Sequence, residues 1–152
     1  MVYDPEKHHR RSIRLKDYDY SREGFYFITI CTFGHKYLFG NVNRDIVILN
    51  RDGKMVEKYL LEIPEHYPET VIHEYVIMPN HIHFVIEITK TDDIDISVGA
   101  NHHSPKPIKM KRPRGTSRTI GAMVRGFKIG VTKWFRENDN RDKIWQSNYF
   151  EH

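Results

Sequence analysis

His81 and His83, one residue apart within Met78-Pro79-Asn80-His81-Ile82-His83-Phe84, are the residues whose type and spacing best suit chemistry. Side chains alternate along a strand, so His81, His83, Val85 and Glu87 share one face while Ile82, Phe84, Ile86 and Ile88 form an apolar row on the other. Two imidazoles side by side on an open face can ligate one divalent cation. The chain carries ten histidines, so such a pair also arises by chance; spacing alone leaves a metal seat and a plain surface pair both open. Glu87 stands about 7 Å further along the strand and reads as a surface group. His102 and His103 fall in a polar loop and read as binding nothing.

Other reactive side chains are sparse. The single cysteine, Cys31, excludes a disulfide framework and any zinc site made of cysteines within the chain, which fits a reducing cytoplasm. No apolar run approaches the roughly 18 to 20 residues needed to cross a bilayer, and the charged N-terminus is unlike a signal peptide, so no membrane partner is expected. A net charge of +4 is mild, but its distribution is uneven. Arg10, Arg11, Arg14 and Lys16 cluster near the start, and Lys106, Lys109, Lys111, Arg112, Arg114 and Arg118 form a second group. Two basic clusters suit a polyanion crossing one face, although solvated flexible segments explain them equally well.

The elements that must position these residues follow from periodicity. Residues 1–22 read as a basic arm, and 23–152 as one domain. Gly24 to Phe33 is aromatic and β-branched throughout, the pattern of a central strand buried on both faces. Asn41 to Asp45 is rich in turn formers, and Ile46–Leu49 reads as a short hairpin strand. From Asp52 or Gly53, the residues Met55, Val56, Tyr59, Leu60 and Ile63 recur at helical spacing until Pro64. Strands over 70–78 and 81–89 flank a Pro79-Asn80 turn and should pair antiparallel. Residues 90–116 read as a long polar loop. A second helix starts near Ser117 as N-cap and aligns Ile120, Met123, Val124, Phe127, Val131, Trp134 and Phe135. Lys143 to Phe150 reads as a last strand. This order predicts an α+β, ferredoxin-like (split βαβ) fold, an antiparallel sheet with two helices on one face, together with an extra hairpin. The other face is left open for a ligand, and the fold by itself does not supply the function.

The run Val76 to Ile86 resembles the HUH motif, histidine-hydrophobe-histidine, of transposases of the IS200/IS605 type. More narrowly, His8 to Leu15, Phe25 to Thr32, Val124 to Lys128 and Ile144 to His152 resemble the REP-associated tyrosine transposases, so the likeness covers nearly the whole chain. The resemblance implies that His81 and His83 hold Mg²⁺ or Mn²⁺, that the partner is DNA as a single strand or hairpin, and that a tyrosine hydroxyl attacks a phosphate to give a 5′-phosphotyrosine. It favours Lys128, and with it Arg125, as DNA contacts alongside Arg10, Arg11, Arg14 and Lys16. A homodimer is left open.

In that family the nucleophile lies on a helix after the last strand, and none of the nine tyrosines here has that context. Tyr149 stands nearest, but packing or base stacking suits it better, and the family tyrosine is expected beyond His152. Tyr26, Tyr75 and Trp145 could stack on bases, with core packing the default for strand aromatics. Two other classes of function are weighed against strand transfer. One is a binding module without catalysis; the other is a hydrolytic nuclease, for which no carboxylate cluster lies near the histidines.

Overall fold

A computed structural model describes residues 18–89 and 118–151. The expectations placed on Arg10, Arg11, Arg14, Lys16, Ser117, His102, His103 and the 90–116 loop lie outside the described residues. In chain order the elements are β1 (Gly24–Cys31), a 3-10 turn (Phe33–His35), β2 (Gly40–Asn43), β3 (Ile46–Leu49), α1 (Arg51–Leu61), α2 (Ile63–His66), β4 (Thr70–Met78), β5 (His81–Ile88), α3 (Ile120–Asp139) and β6 (Phe150–Glu151).

Four strands form one sheet in the order β4-β5-β1-β6, with every neighbouring pair antiparallel. That order is the split βαβ arrangement: β1 and β4 sit on either side of β5, and the last strand returns to the far edge of β1. β2 and β3 form a separate hairpin. Its turn residues Arg44 and Asp45 both have positive φ, at 47° and 64°, as a two-residue primed turn requires.

The helices cover one face. Ile28, Ile30, Ile82, Phe84, Ile86 and Ile88 of the sheet are buried with Val56 and Leu60 of α1 and with Ile120, Met123, Val124, Phe127, Val131 and Phe135 of α3. α1 and α3 are each started by a side chain. Asn50 Oδ1 accepts from Gly53 N at 2.8 Å, and Thr119 Oγ1 from Ala122 N at 3.2 Å, satisfying amides that the first turn leaves unpaired. α1 ends at Leu61, and Pro64 begins a separate single turn where its missing amide costs nothing.

Three expectations need correction. β1 is central but buried on one face only: Phe25 is 64% and Phe27 41% exposed. An aromatic-rich strand reads as apolar on both sides even where one side meets solvent. Gly40 to Asn43 is strand β2, so the turn is confined to Arg44 and Asp45. The last strand is much shorter than 143–150. An isolated bridge joins Thr32 to Trp145, and regular pairing resumes only at Phe150 and Glu151. The six residues from Trp145 to Phe150 lie opposite the four from Thr29 to Thr32, so the intervening segment bulges out of the sheet.

Candidate functional site

The short connection between β4 and β5 is clamped from beneath. Leu38 N and Phe39 N donate to Pro79 O at 2.9 and 3.0 Å, and Thr32 N donates to Asn80 O at 2.9 Å. The buried Thr32 hydroxyl lies 2.8 Å from Lys36 O and 3.0 Å from Asn80 O. The turn carbonyls are thereby held by the 32–39 segment, and β5 starts from a fixed point.

From that point the alternation of β5 holds residue by residue: Ile82, Phe84, Ile86 and Ile88 are buried, while His81, His83, Val85 and Glu87 are half-buried on the open face. The two imidazole centroids lie 4.8 Å apart in an edge-to-face arrangement. Each ring is tied back through the same atom. His81 Nδ1 lies 2.7 Å from Asn80 Oδ1, and His83 Nδ1 lies 2.8 Å from Thr29 Oγ1 on the facing strand. The Asn80 amide is oriented by Nδ2, which donates to His35 O at 3.4 Å, so Oδ1 accepts and His81 carries its proton on Nδ1. Its Nε2 then keeps a lone pair. The Thr29 hydroxyl can accept from His83 in the same sense, since it both donates and accepts. Burial, and after it the neighbouring His83 and His35, push the His81 imidazole below its usual range, which favours the neutral form that a metal requires.

This donor set suits a divalent cation bound through two Nε2 atoms, with Asn80 Oδ1 and Thr29 Oγ1 against the two Nδ1 atoms behind them. Among the described residues no third His, Cys, Asp or Glu joins them in a metal-binding group. Mg²⁺ and Mn²⁺ commonly keep waters or take substrate phosphate oxygens in their remaining positions, so two protein ligands fit that chemistry.

The other named residues are placed as follows. Glu87 Oε2 is 2.8 Å from His73 Nε2, a surface partnership apart from the histidine pair. Arg125 is exposed on α3. Lys128 is half-buried; its ammonium donates to Gln146 O at 3.0 Å and Asn148 O at 3.2 Å, holding the bulge before β6. Burial pushes it down to about 8. Tyr149 packs against the core, as does Trp145, whose Nε1 donates to Lys128 O at 3.2 Å. Tyr26 is buried, donates to Arg22 O at 2.8 Å, and has its phenol pushed up chiefly by that burial. Tyr75 lies on the helix side, donating to Glu57 Oε1 at 3.0 Å.

The orienting roles of Asn80 and Thr29 were not read from sequence, although Asn80 directly precedes His81. Nor were the exposed rings of Phe25, Phe27 and Phe150, which needed the strand register.

No family model matches the chain. An uncharacterized protein of Haemophilus influenzae is 44% identical over 152 residues, covering 99% of this chain and 81% of that protein. Two solved structures are similar in fold. One is a REP-associated tyrosine transposase bound to a REP hairpin, 19% identical, with a TM-score of 0.49; 92% of this chain is covered, but the chain spans only 61% of that protein. The other is a candidate transposase of Deinococcus radiodurans R1, 12% identical, with a TM-score of 0.43 and coverage of 93% and 85%. Among the described residues no helix is long and apolar enough to cross a membrane.

Proposed function

The chain belongs to one family with that Haemophilus influenzae protein, and we propose that it binds single-stranded or hairpin DNA and holds Mg²⁺ or Mn²⁺ at Nε2 of His81 and His83, as the metal-binding half of an HUH-type strand-transfer site. The observation that carries this reading is the paired tie-back of the two rings, Asn80 on His81 and Thr29 on His83. With the proton of each ring on Nδ1, the two Nε2 lone pairs are left for a metal.

A divalent cation bound there would neutralise charge developing on a scissile phosphate. The chain's own residues supply orientation: Asn80 and Thr29 hold the ligand tautomers, and the clamped turn fixes where β5 begins. In the strand-transfer chemistry that the sequence resemblance implies, a tyrosine oxygen forms a bond to phosphorus as the bond to the 3′ oxygen breaks. The phenol proton ends on the released 3′ hydroxyl, and the 5′ end stays on the protein. We assign that phenol to none of Tyr26, Tyr75 and Tyr149. Tyr26 is buried, Tyr75 is bonded to α1, and Tyr149 packs on the core. The same placement favours, as a second reading, a module that binds DNA without cutting it.

Titration of the protein with Mn²⁺, followed by electron paramagnetic resonance, tests the seat: the wild type should bind and His81→Ala/His83→Ala should not, with both chains melting alike. Incubation with a hairpin oligonucleotide and Mn²⁺ tests the chemistry. Retarded but intact DNA, released by salt, is the expected outcome for these 152 residues. A covalent adduct would locate the nucleophile inside them, and free cleaved ends would replace strand transfer by hydrolysis.

A further inference from the structure

We propose that the open face of the four-stranded sheet is a stacking platform for unpaired bases, built by Phe25, Phe27 and Phe150 beside His83. The inference rests on the DNA-binding reading above and adds where the strand lies and in what form.

Register places the three rings together. Phe25 and Phe27 are two residues apart on β1, and Phe150 of β6 faces Thr29, the next β1 residue on that side. All three remain open, at 64%, 41% and 43% exposure. Phe27 is stacked on His83, with centroids 5.5 Å apart and 19° between planes, so the platform is continuous with the histidine pair. Phe25 meets the ring of His73 at 5.3 Å. Val71 and Val76, 42% and 43% exposed, extend the apolar surface on β4.

Several phenyl rings on one face that no described element covers mark a binding surface rather than ordinary scatter. Their chemistry points to nucleobases. Every base offers a π-face, and a sheet face with exposed aromatics can take successive bases without reading their edges. Spacing selects the form of the strand: alternate residues of a strand stand about 6.8 Å apart, roughly twice the 3.4 Å rise of stacked nucleotides. A base on each of Phe25 and Phe27 therefore calls for an extended single strand with unpaired bases rather than a duplex. Charge agrees in sum: the chain carries a net charge of +4, which favours a polyanion, and the Glu87 carboxylate on this face is engaged by His73 Nε2 at 2.8 Å.

The test compares an oligothymidine with an abasic oligonucleotide of equal length, at low salt and without metal. The wild type should bind oligothymidine far more tightly than the abasic strand. Phe25→Ala/Phe27→Ala should lose about five- to a hundredfold per ring in affinity for oligothymidine, with abasic binding unchanged, whereas Phe27→Trp should keep affinity. Phe150→Leu offers an independent variant away from β1, and thermal melting confirms that each variant folds. Equal affinity for the two strands, or Phe variants that bind as the wild type does, would overturn the platform while leaving DNA binding intact. Light scattering supplies the rival occupant: a wild-type dimer converted to monomer by Phe25→Ala/Phe27→Ala, with affinity per chain unchanged, would give the face to a second copy. A wild type that retains no oligonucleotide would remove the DNA-binding reading itself and the platform with it.

Discussion

Thr29 and His83 face each other directly across β1 and β5, with Oγ1 2.8 Å from Nδ1. A hydroxyl in that position decides which nitrogen of His83 is free to ligate. When Nδ1 donates to Thr29, Nε2 carries the lone pair on the solvent side. Removing the hydroxyl by Thr29→Val keeps the β-branched shape but frees the ring to turn and to change tautomer. Mn²⁺ affinity should fall about tenfold or more, and Thr29→Ser should restore most of it. Unchanged affinity in Thr29→Val would mean that His83 does not ligate through Nε2.

Asn80 performs the corresponding task for His81, and it does so more strictly, because an amide oxygen can only accept. Asn80→Ala should lower Mn²⁺ affinity by about 10- to 100-fold. Asn80→Asp retains an acceptor at the same reach and should keep binding. The backbone of Asn80 would still be held by Thr32 in both variants, so the melting temperature should barely separate them. A common large loss of stability would instead make the side chain a structural element of the turn.

Lys128 supplies a pH signature. Burial pushes it down to about 8, below the 10.5 of a free lysine, so the folded chain gives up this proton before the unfolded chain does. The sign follows: between about pH 8 and 10.5 the unfolded state binds more protons, and this group's contribution to stability rises with pH across that window. Below it, the buried ammonium holds stability down in full. Two carbonyl acceptors, Gln146 O and Asn148 O, and a half-buried setting temper the effect. Denaturant unfolding from pH 7 to 10.5 should show the wild type gaining about 1 kcal/mol relative to Lys128→Met after discounting for solvent screening. A flat difference would mean that the carbonyls offset the burial completely.

The histidine pair was legible because its surroundings are strictly periodic. Ile82, Phe84, Ile86 and Ile88 can only point one way, which sends His81 and His83 the other. Non-local facts were not legible. Phe25, Tyr26 and Phe27 look alike in sequence, yet only Tyr26 is buried on the side that the helices cover, and nothing local distinguishes them. Thr29 becomes a partner of His83 through a pairing 54 residues away in the chain. The last strand failed for a comparable reason. Ile144, Trp145, Tyr149 and Phe150 all favour strands, but Trp145 donates its indole proton to Lys128 O, and Lys128 in turn grips the carbonyls of Gln146 and Asn148. That lysine on α3 holds the bulge that the residues' own propensities deny.

Gly53 sits in the first turn of α1, where alanine would ordinarily stabilise a helix by about 1 kcal/mol. Here the gain should reverse. A Cβ on Gly53 would run into the backbone carbonyl of Phe39, with the Leu49 side chain 3.2 Å away. That carbonyl also accepts from Asn50 N at 3.0 Å, so it joins the helix cap to the segment whose amides hold Pro79 O. Neither wall can move without loosening the cap or the clamp under the β4–β5 turn. Gly53→Ala should therefore destabilise the protein by about 1–3 kcal/mol, read as a lower denaturation midpoint. Because the clamp positions His81, Mn²⁺ affinity should fall as well, even under conditions where the variant is fully folded. A variant that melts lower but binds Mn²⁺ like the wild type would separate the packing of α1 from the placement of the histidines.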